Sequence, residues 1–187
     1  MIYEYIINGL PVRTGDLICT TDGGGKLLAG EFWRLVGKLI PGEVDHIAIY
    51  VGPGGRCVES GATGRVIEFE IPANTWDADV MYDQRKLIDT LYGVAYPLAD
   101  KGFAEDREDQ VRKKVGDYCL AQVGKPYNLN FLDSGKEDAF YCSQLAHKAY
   151  LTCGIDLNTD SSVVNIPGTS NIVFPQEIWN VCVNKKV

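Results

Sequence analysis

The two histidines and six cysteines of this 187-residue chain set what nucleophilic chemistry it can support. The best-placed thiol is Cys142, in "DAFYCSQLAHKAYLTCG", at the first position of a stretch that reads as a helix. A helix N-terminus lowers a thiol pKa from about 8.5, and a nearby imidazolium lowers it further, so the position suits a nucleophile. It also admits a buried core thiol, one end of a disulfide, or a metal ligand. His147 follows five residues later, about 500° around the helix axis, so the two side chains diverge and His147 reads as surface or ordinary packing. A base for Cys142 must come from another segment, and His46 is the other histidine.

His46 opens "HIAIYVGPGGRCVESG", an apolar β-rich run, a Gly-Pro-Gly-Gly turn and a second short strand, which together predict a β-hairpin. With a four-residue loop, Val51 to Gly54, Tyr50 pairs with Gly55 and His46 faces Glu59. A two-residue loop shifts the pairing by two and keeps both on one face; a three-residue loop separates them unless a bulge intervenes. A carboxylate on one ring nitrogen fixes the tautomer and supports the imidazolium. A plain sheet histidine is the other reading of His46. Tyr127, after "GKP", and Tyr141, beside the cysteine, are packing aromatics or hydroxyl donors near a developing oxyanion, and spacing does not separate the two.

The remaining thiols, Cys19, Cys57, Cys119, Cys153 and Cys182, fall in apparent strands and helix faces and read as small hydrophobes. They are scattered, and a reducing compartment favours free thiols. There is no CxxC or HxxxH spacing, so neither a metal nor a cofactor is expected. "TDGGGK" lacks the GxxxxGK[ST] spacing of a phosphate loop.

Several elements must position these groups. "TGDLICTT" reads as a strand, and Phe32, Leu35, Val36 and Ile40 recur at helical spacing after a glycine-rich turn. "GRVIEFEI" and "ADVMYDQRK" are both expected to be extended, and Pro97 and Gly102 argue against a continuous helix around "YGVAYPLADKGF". No motif marks residues 86–105, which read as a specificity loop or a cover for the core. A helix is predicted from Asp106 to Gly124, with Val111, Val115, Tyr118, Cys119 and Val123 on one face and acidic residues in its first turn. A polar loop leads to the Cys142–Cys153 helix, closed by Gly154. The tail offers a short helix opened by Pro175 and one last strand.

No linker or charge block divides the chain, so one domain over 1–187 is expected. The start "MIYEYIINGL" lacks a basic region followed by an apolar one, and no apolar run approaches the roughly 18 residues of a membrane span. The simplest expectation is a soluble, cytoplasmic protein with no membrane anchor. A net charge of -7 leaves no basic patch for nucleic acid or anionic membranes, whereas cationic and neutral ligands remain open.

Together these segments resemble the NlpC-type papain-like cysteine peptidases and amidases. That family runs from a "PY" tyrosine and a "DCSGL" helix start to a "GDLVFF"-like strand and then "HVGIYVG". Here "GDLICT" and "DHIAIYVGPGGRCVES" come first, and "GKPYNLNF" and "FYCSQLAHKAY" follow. This order is similar to that of the circularly permuted branch, the YiiX/YaeF-like proteins, whose distant relatives include the lecithin:retinol acyltransferase group. The matching pieces span about residues 14 to 154.

The resemblance implies an α+β, permuted papain-like fold, with a curved antiparallel sheet against helices and the nucleophile at a helix N-terminus. It implies Cys142 as nucleophile, His46 as general base, Glu59 as the residue orienting the base, and Tyr127 near the oxyanion. Tyr141 departs from the aspartate usual before the cysteine, and glutamate stands where non-permuted members often carry histidine or an amide. The activity implied is cleavage of an amide in small peptides, cell-wall-derived peptides with lysine or diaminopimelate among them, through an acyl-enzyme. An acidic protein fits a substrate with a free amine. An acyl-lipid hydrolase, thioesterase or acyltransferase and a non-catalytic binding module are the alternatives.

Overall fold

The computed structural model describes residues 1–24, 42–159 and 172–187. The helix expected around Phe32 to Ile40 lies outside the described residues. A hairpin of β1 (Glu4–Ile7) and β2 (Leu10–Arg13) precedes β3 (Leu17–Gly24), β4 (His46–Tyr50), β5 (Arg56–Ser60) and β6 (Val66–Glu70). Then come α1 (Ala78–Arg85), β7 (Ile88–Tyr96), α2 (Glu105–Ala121), α3 (Cys142–Leu151), α4 (Pro175–Val181) and β8 (Val183–Lys186). Six strands form one antiparallel sheet in the order β6-β5-β4-β3-β7-β8.

Strand alternation sorts the side chains into two cores, one on each face. Leu17, Cys19, Ile47, Ile49 and Val58 face a core shared with Val111 and Val115 of α2, Leu145 and Ala149 of α3, and Ile178 of α4. Ile18, Ala48, Tyr50, Cys57 and Phe69 face the other, with Ile7, Val12, Trp76 and Met81. Both faces of β4 are therefore covered, and all five of its residues are buried.

The predicted hairpin is present with a different register. Tyr50 pairs with Cys57 rather than Gly55, so the turn between the last paired residues runs from Val51 to Arg56. The turn is held by Val51 and Gly52 N-H groups donating to the Arg56 carbonyl. A side chain on Gly55, at φ +87°, would meet the Ile71 carbonyl oxygen at 2.3 Å, so the edge of the hairpin passes there only as glycine. The shift from the expected register is an even number of residues, so His46 and Glu59 keep one face and meet diagonally.

Two expectations fail. "ADVMYDQRK" is not extended but forms α1, started by Asp77, whose carboxylate accepts the Val80 N-H at 3.1 Å. Its inward residues are Met81 and Arg85, four apart, so a charge occupies a core-facing position and breaks the apolar pattern. Ile88–Tyr96, expected to be irregular or a covering loop, is β7, a strand inside the sheet between β3 and β8. Pro97 and Gly102 punctuate the chain only after it ends.

On the helical face, Arg112 of α2 is buried and donates to the Asp16 carboxylate at 2.8 Å, the Thr14 carbonyl at 2.9 Å and Glu108 at 2.7 Å. Burial, the largest influence, raises the Asp16 pKa, and Arg112 works against that rise. Removing the guanidinium leaves a buried carboxylate without its cation. Arg112→Ala is expected to cost about 3–5 kcal/mol, read as a lower urea midpoint at neutral pH.

Candidate active site

The start of α3 sets the position of Cys142. Leu145 N-H to Tyr141 carbonyl is the first helical hydrogen bond, so the N-H groups of Cys142, Ser143 and Gln144 precede the ladder. Gln144 organises this end: its Oε1 accepts the Tyr141 N-H at 3.2 Å and an Asn128 side-chain N-H at 3.1 Å. Its Nε2 donates to the Ser134 and Lys136 carbonyls. The loop after the "PY" pair is thereby tied to the helix start, and Tyr127 bridges to Phe140. On the other side, the Tyr141 hydroxyl accepts the Val173 N-H at 3.0 Å and the Ser143 hydroxyl donates to the Val173 carbonyl at 2.7 Å.

His46 begins β4, beside Thr20 of β3. Its Nε2 lies 2.9 Å from Oε2 of Glu59. Cys142 is the ring's other ionisable neighbour, close enough for its charge to act on the imidazole. Cys142 is 5% exposed, His46 7% and Glu59 0%, so the three groups meet almost out of water. They come from both faces of the sheet: α3 packs on one, Glu59 projects into the other, and His46 joins them at the end of its strand. A side chain on Gly61 would sit 3.3 Å from the His46 Cε1, and a ring held at Nε2 cannot easily retreat from it.

Burial is the largest influence on His46 and favours the neutral ring. The Cys142 charge first, then that of Glu59, each favouring the N-H form of the ring, outweigh it and hold the imidazole pKa well above 6.5. Burial also acts against the Glu59 carboxylate, but Arg85 and then His46 bring its pKa down to about 2. At the other buried thiols burial prevails, even where Arg85 stands near Cys57 and Lys101 near Cys182. Burial holds Cys19 and Cys57 well above 9.0 and pushes Cys119 and Cys182 up to about 12.

Arg85 and Asp89 are the members of this cluster that sequence reasoning missed. Arg85 is fully buried; its Nε contacts both Glu59 oxygens at 3.1 Å and a terminal nitrogen reaches Oε2 at 2.8 Å. The same guanidinium binds both Asp89 oxygens, at 2.7 and 2.8 Å. Its planar group lies 4.8 Å from the Phe69 ring centre and 4.5 Å from that of Trp76. Asp89 in turn accepts the Thr20 hydroxyl at 2.7 Å and the Trp76 indole N-H at 3.3 Å. The spacing Arg85 to Asp89 resembles any surface pair, and only the fold of α1 reveals it as buried.

Tyr127 lies close enough to Cys142 for the thiol's charge, after burial, to help hold the phenol well above 10.0. Tyr127, Phe131 and Tyr141 form a row of rings with centroids 6.3 and 5.4 Å apart. His147 stands apart from the cluster, with Nδ1 3.5 Å from Asp156, and burial lowers its pKa. All six cysteines are free thiols.

A cysteine at a helix start, against an antiparallel sheet bearing a histidine and a carboxylate earlier in the chain, defines a permuted papain-like architecture. Residues 25–169 match the family described as permuted papain-like amidase enzymes, YaeF/YiiX, C92, and the chain belongs to that family. It is a family of cysteine peptidases and amidases, so the protein is an enzyme of that kind. The fold is similar to the crystal structure of yiiX from Escherichia coli O157:H7, at 17% identity and a TM-score of 0.53, covering 93% of this chain and 95% of that one. No curated protein matches the sequence. The yiiX protein is titled a metalloprotein. Among the described residues no group of three or more His, Cys, Asp or Glu side chains is placed to hold a metal ion, and Arg85 already occupies both Glu59 oxygens. Among the described residues, the groups around His46 do not fit a metal.

The pKa shifts make acid stability a readout of Glu59. Its folded pKa is depressed, so its contribution is present above the unfolded value of 4.5 and lost as pH falls toward about 2. Raised His46 acts in the opposite sense, stabilising below 6.5 and losing that contribution as pH rises through the folded value. Glu59→Gln is expected to lose about 3–5 kcal/mol at neutral pH, with the gap to wild type closing as urea denaturation is repeated at falling pH below 4.5.

Proposed function

We propose that this enzyme hydrolyses an amide in small peptides with Cys142 as nucleophile, His46 as general base and acid, and Glu59 holding the ring. The observation that carries the reading is the buried His46-Glu59 hydrogen bond of 2.9 Å with Cys142 as the ring's other neighbour. The Cys142 thiolate adds to the carbonyl carbon, and the oxyanion meets N-H groups at the start of α3, with the Tyr127 hydroxyl a further donor. Collapse breaks the C-N bond as His46 gives its proton to the departing amine. Water then attacks the thioester, His46 takes its proton, and Cys142 leaves as the thiolate with a carboxylic acid product.

Peptides bearing a free amine, as in cell-wall fragments with lysine or diaminopimelate, are the proposed substrates, supported by the net charge of -7. Residues 1–187 are proposed to act as one catalytic domain in the cytoplasm, on a small amide substrate and not on nucleic acid. No helix among the described residues is long and apolar enough to cross a membrane. One observation favours a second reading, hydrolysis or transfer of a lipid acyl group. The loop that Gln144 ties to the helix start exposes Leu129 by 65% and Leu132 by 60%, an apolar rim beside the aromatic row.

The test is iodoacetamide labelling followed by mass spectrometry, with the other five thiols as controls. Cys142 is expected to label selectively at mildly acidic pH, and His46→Ala to slow it at least about tenfold there. Labelling no faster than the controls, or indifferent to His46, overturns the activated pair and favours a binding module. Turnover of dipeptide amides, and not of medium-chain acyl esters, separates the first reading from the second.

A further inference from the structure

The third group of the cluster is itself held from behind. Glu59 has two oxygens, and both lie against Arg85; the Oε2 that meets His46 also receives a guanidinium N-H at 2.8 Å. Arg85 cannot move aside. It is fully buried between Phe69 and Trp76, and its remaining donors are fixed on Asp89. Asp89 is anchored by Thr20, the residue paired with His46 across β3 and β4. The contacts therefore close a ring from His46 through Glu59, Arg85, Asp89 and Thr20 back to the strand position beside His46.

We propose that Arg85, fixed by Asp89, is a positioning residue of the active site, which keeps Glu59 ionised and aimed at His46 across the working pH range. This rests on the Cys142-His46-Glu59 reading, to which it adds two residues that touch neither the thiol nor a substrate. A buried carboxylate whose sole cationic neighbour was a titrating imidazole would gain a proton as the pH fell and lose its hold on the ring. Arginine does not titrate, and its fork binds the carboxylate in one plane. The charged and titratable groups facing Glu59 and Arg85 are His46 from β4, Cys57 from β5, the strand of Glu59, and Asp89 from β7. Around His46 stand Cys142 of α3 and Asp45.

Two readouts test this without a known substrate: the His46 ring nitrogens by NMR, and the iodoacetamide labelling rate of Cys142, each followed against pH. Having only two histidines makes the NMR assignment direct. Arg85→Met/Asp89→Asn removes one charge of each sign and keeps the pocket filled, so it guards against simple unfolding of Arg85→Met. It is expected to show a new inflection between about pH 5 and 7 in both readouts, from Glu59 taking up a proton. Below it, Cys142 labelling falls at least about tenfold. Arg85→Lys keeps the charge and is expected to lack the inflection while labelling more slowly than wild type throughout.

A folded double variant with no new inflection and wild-type labelling overturns the proposal, since a merely structural arginine changes the melting temperature alone. If wild-type labelling is itself indifferent to His46→Ala, the Cys142-His46 pair is at fault, and the His46 NMR inflection still decides the role of Arg85.

Discussion

A carboxylate with no exposure to water has to be compensated where it stands, and in this fold that requirement organises a whole face of the sheet. Glu59 is worth having beside His46 only while it is ionised, and ionised it costs several kcal/mol to bury unless cations and N-H donors surround it. His46 supplies one partner and Arg85 the other. Burying Arg85 then demands a second carboxylate, Asp89, which demands the Thr20 hydroxyl and the Trp76 indole. One orienting hydrogen bond thus draws side chains from four of the six strands of the sheet or from segments packed on it. The second core is consequently a mixed one, with an arginine and two acids among Phe69, Trp76 and Met81.

Cys142, the proposed nucleophile, is fixed by different means on the other face. There, neutral hydrogen bonds predominate: Gln144 gathers the loop before the helix, while Tyr141 and Ser143 hold the two polar atoms of the Val173 peptide unit. Ser60 of β5 donates to the Phe140 carbonyl at 2.6 Å, linking the strand that carries Glu59 to the residues just before Cys142. The sheet end is therefore clamped from both sides. Because these contacts act through space, it makes no geometrical difference that His46 and Glu59 precede Cys142 in this chain, and permutation leaves the cluster intact.

The hairpin, the Cys142 helix, α2 and the tail were legible because their patterns are the ones that burial imposes: alternation for strands, a 3.6-residue period with glycine stops for helices. His46 and Glu59 were placed on one face through parity alone, which survived a wrong loop length because the error was even. What escaped is equally physical. In α1 the inward-facing residue four after Met81 is a charged arginine, so the stretch shows Val80, Met81 and Tyr82 in succession and reads as extended. An Arg-x-x-x-Asp pair is ordinarily a solvated one, and sequence carries no signal that this one is roofed by aromatic rings. Tyr141 resisted assignment because its hydroxyl partner is the backbone of Val173, distant in sequence and independent of side-chain identity.

The depth of the cluster bears on what can reach it. Cys142 is 5% exposed and His46 7%, and the Tyr127-Phe131-Tyr141 row lies beside the cysteine. On the proposed reading, burial of this depth favours the end of a short peptide or the head of an acyl chain over the surface of a folded protein. Between those two the walls differ in what they offer: the aromatic row and the exposed leucines of its loop are apolar, while the acids that give the protein its negative charge attract an amine from farther away. On the proposed mechanism the chemistry of bond cleavage is common to both, which assigns substrate choice to the loop that Gln144 fastens and not to the buried charges behind Glu59.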